Sequence, residues 1–255
     1  MPKQTTFRIT PNHKVELLNE NEDQGYLLKR NDYCIRQVNS IKQCIKVNTF
    51  LRHRYAACGY YIPNTMIRPY HMPHQITFEA SCKQEIIGTL TLTLDSDEGL
   101  LADELYKNEI DTIRSKNRKL CEISKLAFKT NTNSKKIMAE LFHSAYIYAH
   151  TLHAATDAVI EVNPRHAVFY KQLLGFQEIG SQRICPRVNA PALLLHLEHH
   201  EITNRIATKE NLLIPRKKTI YKYFLSQFEE KKLRNKIHCM FGSEQSIAKQ
   251  SRNYY

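Results

Sequence analysis

The chain has 255 residues, of which 42% are hydrophobic and 24% charged, a composition typical of a globular protein rather than a disordered one. Its net charge of +12 favours acidic partners, namely nucleic acid, anionic lipid or an acidic carrier protein, without choosing among them. No apolar stretch approaches the length of a spanning helix, and the start MPKQTTFRIT lacks the apolar segment of a secretory signal. Seven cysteines without CxxC spacing argue against a disulfide framework or a zinc ribbon and predict a cytoplasmic protein.

The first half of the chain alternates strands and helices. Residues 1–30 are polar and weakly patterned and are interpreted as an N-terminal arm. Tyr33–Val38 alternates as a strand does, and Ser40 is a candidate N-cap for a helix that runs through Leu51. Four further elements are predicted: strands over Ile76–Ala80 and Glu85–Leu94, a helical region over Leu100–Lys116, and a strand over Leu120–Phe128.

The second half continues the same order. Ser134–His153 carries an apolar stripe at helical spacing, and Ala158–Val162 reads as a buried strand. Asn163 and Pro164 supply an N-cap and a first-turn proline for a helix that Gly175 ends. Phe176–Ile179 and Ala192–Leu197 are the last predicted strands. The order predicts an α/β (α+β) mixed sheet with helices between strands, and the absence of GxGxxG and GxxxxGK[ST] excludes the two common phosphate-binding loops.

Residues 201–255 are predicted to form a basic helical C-terminal extension. Seven of the twelve excess positive charges lie in residues 199–255. After Pro215 and a basic run, five apolar residues follow at helical spacing and predict one amphipathic helix: Ile220, Tyr221, Phe224, Leu225 and Phe228. This helix either docks on the main domain or contacts a membrane surface or a carrier protein, and the sequence leaves these alternatives open.

Three segments together resemble one family. The first is Gly88-Thr-Leu-Thr-Leu-Thr-Leu-Asp95 with Gly99-Leu-Leu-Ala-Asp-Glu-Leu105, and the second is Leu120-Cys-Glu-Ile-Ser-Lys-Leu-Ala127. The third is Val159-Ile-Glu-Val-Asn-Pro-Arg-His166, followed by Phe169-Tyr170, Leu174-Gly175-Phe176 and Val188-Asn-Ala-Pro-Ala192. Over residues 33–198 the chain resembles the N-acyl amino acid synthases, members of the GNAT acyltransferase superfamily related to the acyl-homoserine-lactone synthases.

The resemblance implies a GNAT-like N-acyltransferase domain over residues 31–200 that moves a long-chain fatty acyl group from a thioester to the α-amine of an amino acid. The expected donor is the phosphopantetheine thioester of acyl carrier protein, with acyl coenzyme A as the alternative, and no bound cofactor is expected. GNAT enzymes that use coenzyme A usually hold its pyrophosphate on a glycine-containing loop before the helix that matches Ser134–His153. This chain has Lys129-Thr-Asn-Thr-Asn-Ser-Lys-Lys136 there, without glycine, and this favours the acidic carrier protein.

The candidate catalytic residues are Glu122 and Tyr170, which the resemblance supports, and His166, which its place at a helix start suggests. Acyl transfer needs a neutral amine, a stabilised oxyanion and a protonated leaving thiolate. Glu122 can accept the amine proton or hold the ammonium group, with a structural salt bridge as the alternative, and Glu161 carries the same chemistry with weaker family support. Tyr170 can protonate the thiolate, or it packs on the sheet. His166, in the first turn of its helix, can bind an anion or relay a proton, or it has no catalytic part.

Five residues are predicted to bind substrate: Arg52, Ser124, Lys125, Asn163 and Arg165. Arg52 matches the arginine of a family Leu-Arg pair, although Arg54 follows on the same helix end and both can equally be solvated. Lys125 stands where the family usually has arginine, so the planar fork that grips a carboxylate is missing. Strand alternation places Ser124 on the same face as Glu122 and Lys125 on the opposite face.

Metal binding and two other functions are alternatives to the predicted acyl transfer. The histidines of His196-Leu-Glu-His-His200 and His71-Met-Pro-His74 lack the HExxH order, so they are interpreted as surface histidines and no metal is expected. An acyl-homoserine-lactone-type synthase would usually carry an N-terminal pattern that includes tryptophan, and this chain has none. A non-catalytic basic module would bind nucleic acid or membrane through the tail. Nucleic acid is not expected, and peripheral membrane contact stays open.

Overall fold

The computed structural model describes residues 26–60, 74–129, 134–210 and 219–251. In these ranges the strands are β1 (Tyr26–Lys29), β2 (Cys34–Gln37), β3 (Gln75–Cys82), β4 (Glu85–Leu94), β5 (Leu120–Phe128), β6 (Asp157–Val162), β7 (Gln177–Glu178), β8 (Arg183–Cys185) and β9 (Ala190–Glu198). The helices are α1 (Ile41–Ala56), α2 (Asp103–Arg114), α3 (Ser134–His153), α4 (Pro164–Leu173), α5 (His199–Glu210) and α6 (Gln227–Ser251). The mixed α/β order predicted from the sequence is confirmed.

The sheet divides near its middle. Its strand order is β1-β2-β3-β4-β5-β6-β9-β7, with β8 on β9, and β5 and β6 are its parallel pair. This pairing runs only from Leu120↔Asp157 to Glu122↔Val159, whereas the β4–β5 pairing extends to Phe128 and the β6–β9 pairing to Val162. Beyond Glu122 the two halves of the sheet therefore separate, and a cleft opens between β5 and β6.

A bulge lies in β5 beside this cleft. Thr89 of β4 pairs with Ala127, but Thr91 pairs with Ser124, so β5 holds one residue more than β4 over this stretch. Lys125 takes a φ of 49° there, in the left-handed region that a lysine rarely adopts. The Thr89 hydroxyl donates to the Lys125 carbonyl at 3.0 Å and holds the bulge in place.

Local sequence signals set the helix starts as predicted. Ser40 caps α1, because its hydroxyl accepts the Gln43 N–H at 3.3 Å. Asn163 caps α4 by accepting the Arg165 N–H at 3.1 Å, and Pro164 occupies the first turn. Gly175 follows α4 with a φ of 89°, which suits glycine. The long helix α3 is buried on most of its surface and packs across β3 and β4.

The predicted N-terminal arm reaches less far than residue 30. Tyr26–Lys29 form β1 on the edge of the sheet, and Leu27 is buried. The guanidinium of Arg30 then binds two carboxylates, Glu140 of α3 at 2.9 Å and Glu229 of α6 at 2.6 Å. A strand of four residues leaves too short a pattern to read from sequence, and Arg30 is tied to the core by residues that lie far along the chain.

The predicted amphipathic helix over residues 220–228 is wrong. Tyr221–Tyr223 form a short 3-10 turn, Phe224 is extended, and α6 begins only at Gln227, so that Phe228 is 78% exposed. The apolar residues on either side of this turn enter the main core instead. The Phe224 ring stacks on His143 of α3 at 4.5 Å, and the Leu225 N–H donates to His143 Nδ1 at 3.0 Å. The described part of the tail is therefore docked on the main domain; Pro215 and the basic run after it lie outside the described residues.

Two of the predicted surface histidines make contacts within the fold. His199 is 4% exposed and its Nδ1 donates to the Ala155 carbonyl at 2.6 Å, while His196 is partly buried and its Nε2 lies 2.7 Å from Asp157 Oδ1. His199 enters the core because β9 continues directly into α5. Within the described ranges no group of three or more His, Cys, Asp and Glu side chains is placed to hold a metal. None of the helices in those ranges combines the length and apolarity needed to cross a bilayer.

Candidate active site

A cavity of about 390 Å³ lies where β5 and β6 separate. Its walls come from the end of α1 and the residues after it, from β5 and β6, from the start of α4, and from the turn between β8 and β9. The end of one parallel pairing thus leaves a space that several segments of the chain surround, including α3 through Met138. A volume in this range suits a small-molecule substrate.

Glu122 lies at the base of the cavity and is almost completely buried. Its Oε2 accepts the N–H groups of Leu101 at 2.6 Å and of Ala102 at 3.3 Å, just before α2 begins. Burial raises the pKa of Glu122 to about 7, and the nearby charge of Glu161 adds to the rise, while the two N–H donors and Arg187 oppose it. A carboxyl with this pKa can accept and release a proton near neutral pH.

A second carboxylate, Glu161 of β6, lies in the same cavity and is paired with an arginine. Arg187 Nη2 is 2.7 Å from Glu161 Oε2, and Arg187 Nη1 donates to the Leu101 carbonyl at 2.9 Å. Arg187 also contacts the carboxylate of Glu104 on α2. Sequence reasoning missed Arg187, because it stands in the turn between β8 and β9, in no motif and far along the chain from each of its partners.

The bulge changes which residues of β5 face the cavity. Alternation predicts Lys125 on the face opposite Glu122, but the extra residue interrupts the alternation after Ser124, and all residues of β5 from 122 to 128 border the cavity. The Ser124 hydroxyl oxygen is buried and has no hydrogen-bond partner among the described residues. It is therefore a polar atom that a substrate can satisfy.

Three tyrosines bring hydroxyl groups to the cavity wall. Burial raises the pKa of Tyr170 well above its ordinary value, and burial raises the pKa of Tyr55 to about 12, so both hydroxyls stay protonated at neutral pH. The Tyr60 hydroxyl is buried and, within the described ranges, has no hydrogen-bond partner. Burial also raises the pKa of Cys185 to about 11, which makes its thiol a poor nucleophile.

The first turn of α4 forms another part of the wall. The Asn163 amide caps the helix and also donates to the Pro191 carbonyl at 3.0 Å, which ties α4 to β9. Burial lowers the pKa of His166, and the charge of Arg165 lowers it further, so the ring is neutral at pH 7. Arg165 Nε donates to His166 Nε2 at 3.1 Å, which places the ring proton on Nδ1.

The structure brings six of the eight predicted site residues together: Glu122, Ser124, Lys125, Asn163, His166 and Tyr170 all line the cavity. Arg52 does not line it, and Arg54 does. Residues two apart on a helix point about 200° away from each other, so one of these two arginines must turn away. Arg165 does not line it either; its guanidinium lies 5.0 Å from the centre of the Tyr60 ring and 3.4 Å from the Cys58 carbonyl.

A sheet that separates between two central parallel strands, with a bulged strand and a cavity at the split, is the architecture of the GNAT acyltransferases, and the chain is an N-acyltransferase of this fold. It belongs to the N-acyl amino acid synthase FeeM family, whose sequence profile matches residues 46–198. The expected family and fold are thereby confirmed.

Solved structures show the same likeness. FeeM, an N-acyl amino acid synthase from uncultured soil microbes, is 28% identical, with a TM-score of 0.61 over 66% of this chain and 91% of that one. Arabidopsis thaliana NAA60 in complex with acetyl-CoA is 12% identical, with a TM-score of 0.48 over 65% and 98% of the two chains. Escherichia coli ElaA gives 10% identity and a TM-score of 0.48 over 65% and 97%. A comparison with curated protein sequences finds no significant match.

Proposed function

We propose that the protein transfers a long-chain fatty acyl group from the thioester of acyl carrier protein to the α-amine of an amino acid. The observation that carries this proposal is Glu122, a buried carboxyl with a pKa of about 7 at the base of the cavity of an N-acyl amino acid synthase family member. Such a group can take the proton that an amine loses when it is acylated.

The reaction needs two proton transfers, and the cavity offers a group for each. The amine nitrogen attacks the thioester carbonyl, so that a C–N bond forms and the C–S bond breaks. Glu122 accepts the proton that the nitrogen loses, through Oε1, because Oε2 is engaged by Leu101 and Ala102. Tyr170 donates a proton to the departing thiolate. Return of the proton from Glu122 to Tyr170 restores both groups.

Charge supports a carrier protein as the acyl donor. The protein has a net charge of +12, and α1 carries no acidic residue over its sixteen positions. On neighbouring turns α1 exposes two isoleucines and two lysines: Ile41, Lys42, Ile45 and Lys46. At its other end Arg54 and Tyr55 line the cavity. An acidic carrier protein on this face would have its thioester arm directed towards the cavity. The glycine-free loop also favours this donor, although residues 130–133 lie outside the described residues.

The first experiment tests donor and acceptor together. Purified protein is mixed with long-chain acyl carrier protein or with acyl coenzyme A, in each case with all twenty amino acids, and mass spectrometry identifies acylated products. We expect an N-acyl amino acid from the carrier-protein donor. Product from coenzyme A alone would overturn the proposed donor, and no product from either donor with folded protein would overturn the proposed reaction.

The second experiment tests the face of α1. In the double variant Lys42→Glu, Lys46→Glu we expect kcat/KM for the carrier-bound donor to fall about tenfold or more, because opposite charges steer the encounter. The matched control Lys231→Glu, Lys232→Glu makes the same charge change at two exposed positions on α6. Equal losses in the two double variants would point to overall charge rather than to α1.

A further inference from the structure

We propose that Arg187 is a positioning residue for the acyl transfer: it holds the segment before α2 against β6 and thereby keeps the carboxylate of Glu122 aimed into the cavity. This inference rests on the proposed role of Glu122 as the proton acceptor. Nothing in the sequence pattern points to Arg187, and it acts through other residues rather than on the substrate.

The backbone of Leu101 connects Arg187 to Glu122. The Leu101 N–H donates to Glu122 Oε2 at 2.6 Å, and the Leu101 carbonyl accepts from Arg187 Nη1 at 2.9 Å. The same guanidinium binds Glu161 on the far side of the split through Nη2 at 2.7 Å. A single planar fork thus joins the segment that holds Glu122 to the strand on the other side of the cleft. The Arg187 side chain is 17% exposed and that of Glu161 10%, so water screens these contacts weakly.

Arg187 is also a cation that lowers the pKa of Glu122. The charged and titratable groups that line the cavity around Glu122 are Glu161 from β6, Cys185 from β8, Arg187 from the turn after it, Arg54 and Tyr55 from α1, Cys58 and Tyr60 from the residues after α1, His166 and Tyr170 from α4, and Lys125 from β5 itself. Glu104 of α2 reaches the site through its contact with Arg187. Of these charges, Glu161 raises the pKa of Glu122 and Arg187 lowers it. Removal of Arg187 would leave two cavity carboxylates without their shared cation.

Arg183 provides a matched control four residues earlier. It makes the same kind of bridge one turn further along α2, to the Leu105 carbonyl and the Glu109 carboxylate, with its guanidinium 4.6 Å from the centre of the Tyr106 ring. It does not line the cavity. Both arginines therefore attach the β8–β9 hairpin to α2, and only Arg187 is connected to Glu122.

The test is the pH dependence of kcat/KM in Arg187→Met and Arg183→Met. In Arg187→Met we expect kcat to fall about tenfold or more, because the acceptor of the proton is misplaced. We also expect the acid limb of the profile to move up by about one pH unit, because Glu122 loses a neighbouring cation. Arg183→Met should keep the wild-type profile whatever it does to stability. An Arg187→Met profile that coincides with that of Arg183→Met would overturn the proposal.

A second variant keeps the test open if Arg187→Met does not fold. Glu161→Gln keeps an oxygen acceptor for Arg187 but removes the charge that opposes ionisation of Glu122, so the acid limb should move to lower pH, the opposite direction. An acid limb of the Glu161→Gln profile that stays at the wild-type pH or moves to higher pH would contradict the proposal. Failure of the proposed function looks different, because wild-type protein would then form no product with any amino acid and no profile would exist to compare.

Discussion

Glu122 combines two roles that usually belong to different residues. Its Oε2 satisfies two backbone N–H groups before α2, which is a structural task, while its burial raises the pKa to about 7, which is a chemical one. Two hydrogen bonds from N–H groups normally lower the pKa of a carboxyl, so burial is the larger effect here. Ionisation of Glu122 therefore lowers the free energy of unfolding of the protein.

This loss of stability on ionisation predicts how the stability of Glu122→Gln depends on pH. The folded-state pKa, about 7, lies above the ordinary value of 4.5, so the folded state binds the proton more tightly and the wild type loses stability as pH rises through this window. Glutamine keeps an oxygen for the two N–H groups but cannot ionise. The variant should match the wild type near pH 4.5 and exceed its free energy of unfolding by up to about 3 kcal/mol at pH 8.

Chemical denaturation at pH 5 and at pH 8 measures this difference, with the exposed Glu85→Gln as a control that should show no pH-dependent gain. Acyl transfer by Glu122→Gln should fall by about 10²-fold or more, because the amine proton loses its acceptor. A stability difference that is the same at both pH values would argue against a raised pKa in the folded protein.

At the scale of elements, the edge of the sheet depends on one arginine. Arg30 follows β1 and binds the buried Glu140 of α3 as well as Glu229 of α6, and the Tyr33 hydroxyl donates to the same Glu140 at 2.7 Å. Arg30→Met should destabilise the protein by about 3 kcal/mol, because it leaves a buried carboxylate without its cation. Urea denaturation tests this, with Lys29→Met as the neighbouring control, and equal effects of the two substitutions would contradict it.

The sequence predicted some elements closely and missed others, including the starts of the long helices α5 and α6. The bounds of β5 and α3 agree with the prediction, because each carries nine or more residues of one clear pattern. Strands β1 and β8, with four and three residues, were missed, and so was the bulge at Lys125, which leaves no trace in the alternation of apolar residues. Of the two arginines that the sequence offered at the end of α1, Arg54 lines the cavity, and Arg187 joined the site through contacts across the fold, which local patterns do not contain.

At the scale of the whole molecule, the tail belongs to the core although the family match ends at residue 198. Ile220, Tyr221, Leu225, Leu233 and Ile237 are all buried in the same cluster as α3. The Tyr221 hydroxyl donates to the Leu174 carbonyl at 2.7 Å, so this segment also holds the end of α4. Residues 219–240 should therefore unfold together with the acyltransferase domain as one cooperative unit.

Two positions on α6 test this cooperative unit. Ile237 is fully buried and Phe228 is 78% exposed. Ile237→Ala should lower the free energy of unfolding by about 2–5 kcal/mol, and Phe228→Ala should change it by about 0.5 kcal/mol or less. Thermal unfolding followed by both near- and far-ultraviolet circular dichroism should show one transition in each variant. A separate early transition in Ile237→Ala would mean that the tail unfolds on its own.

The docked tail also has a consequence for synthesis of the protein on the ribosome. Helix α3 is complete at His153, but the residues that cover it, from Ile220 to Ile237, are translated only after α4 and the last strands of the sheet. The nascent chain must therefore carry an apolar helix face uncovered during this interval, and it can close its core only after Ile237 has left the ribosome. A chaperone that binds nascent chains should associate with this protein until that point in translation.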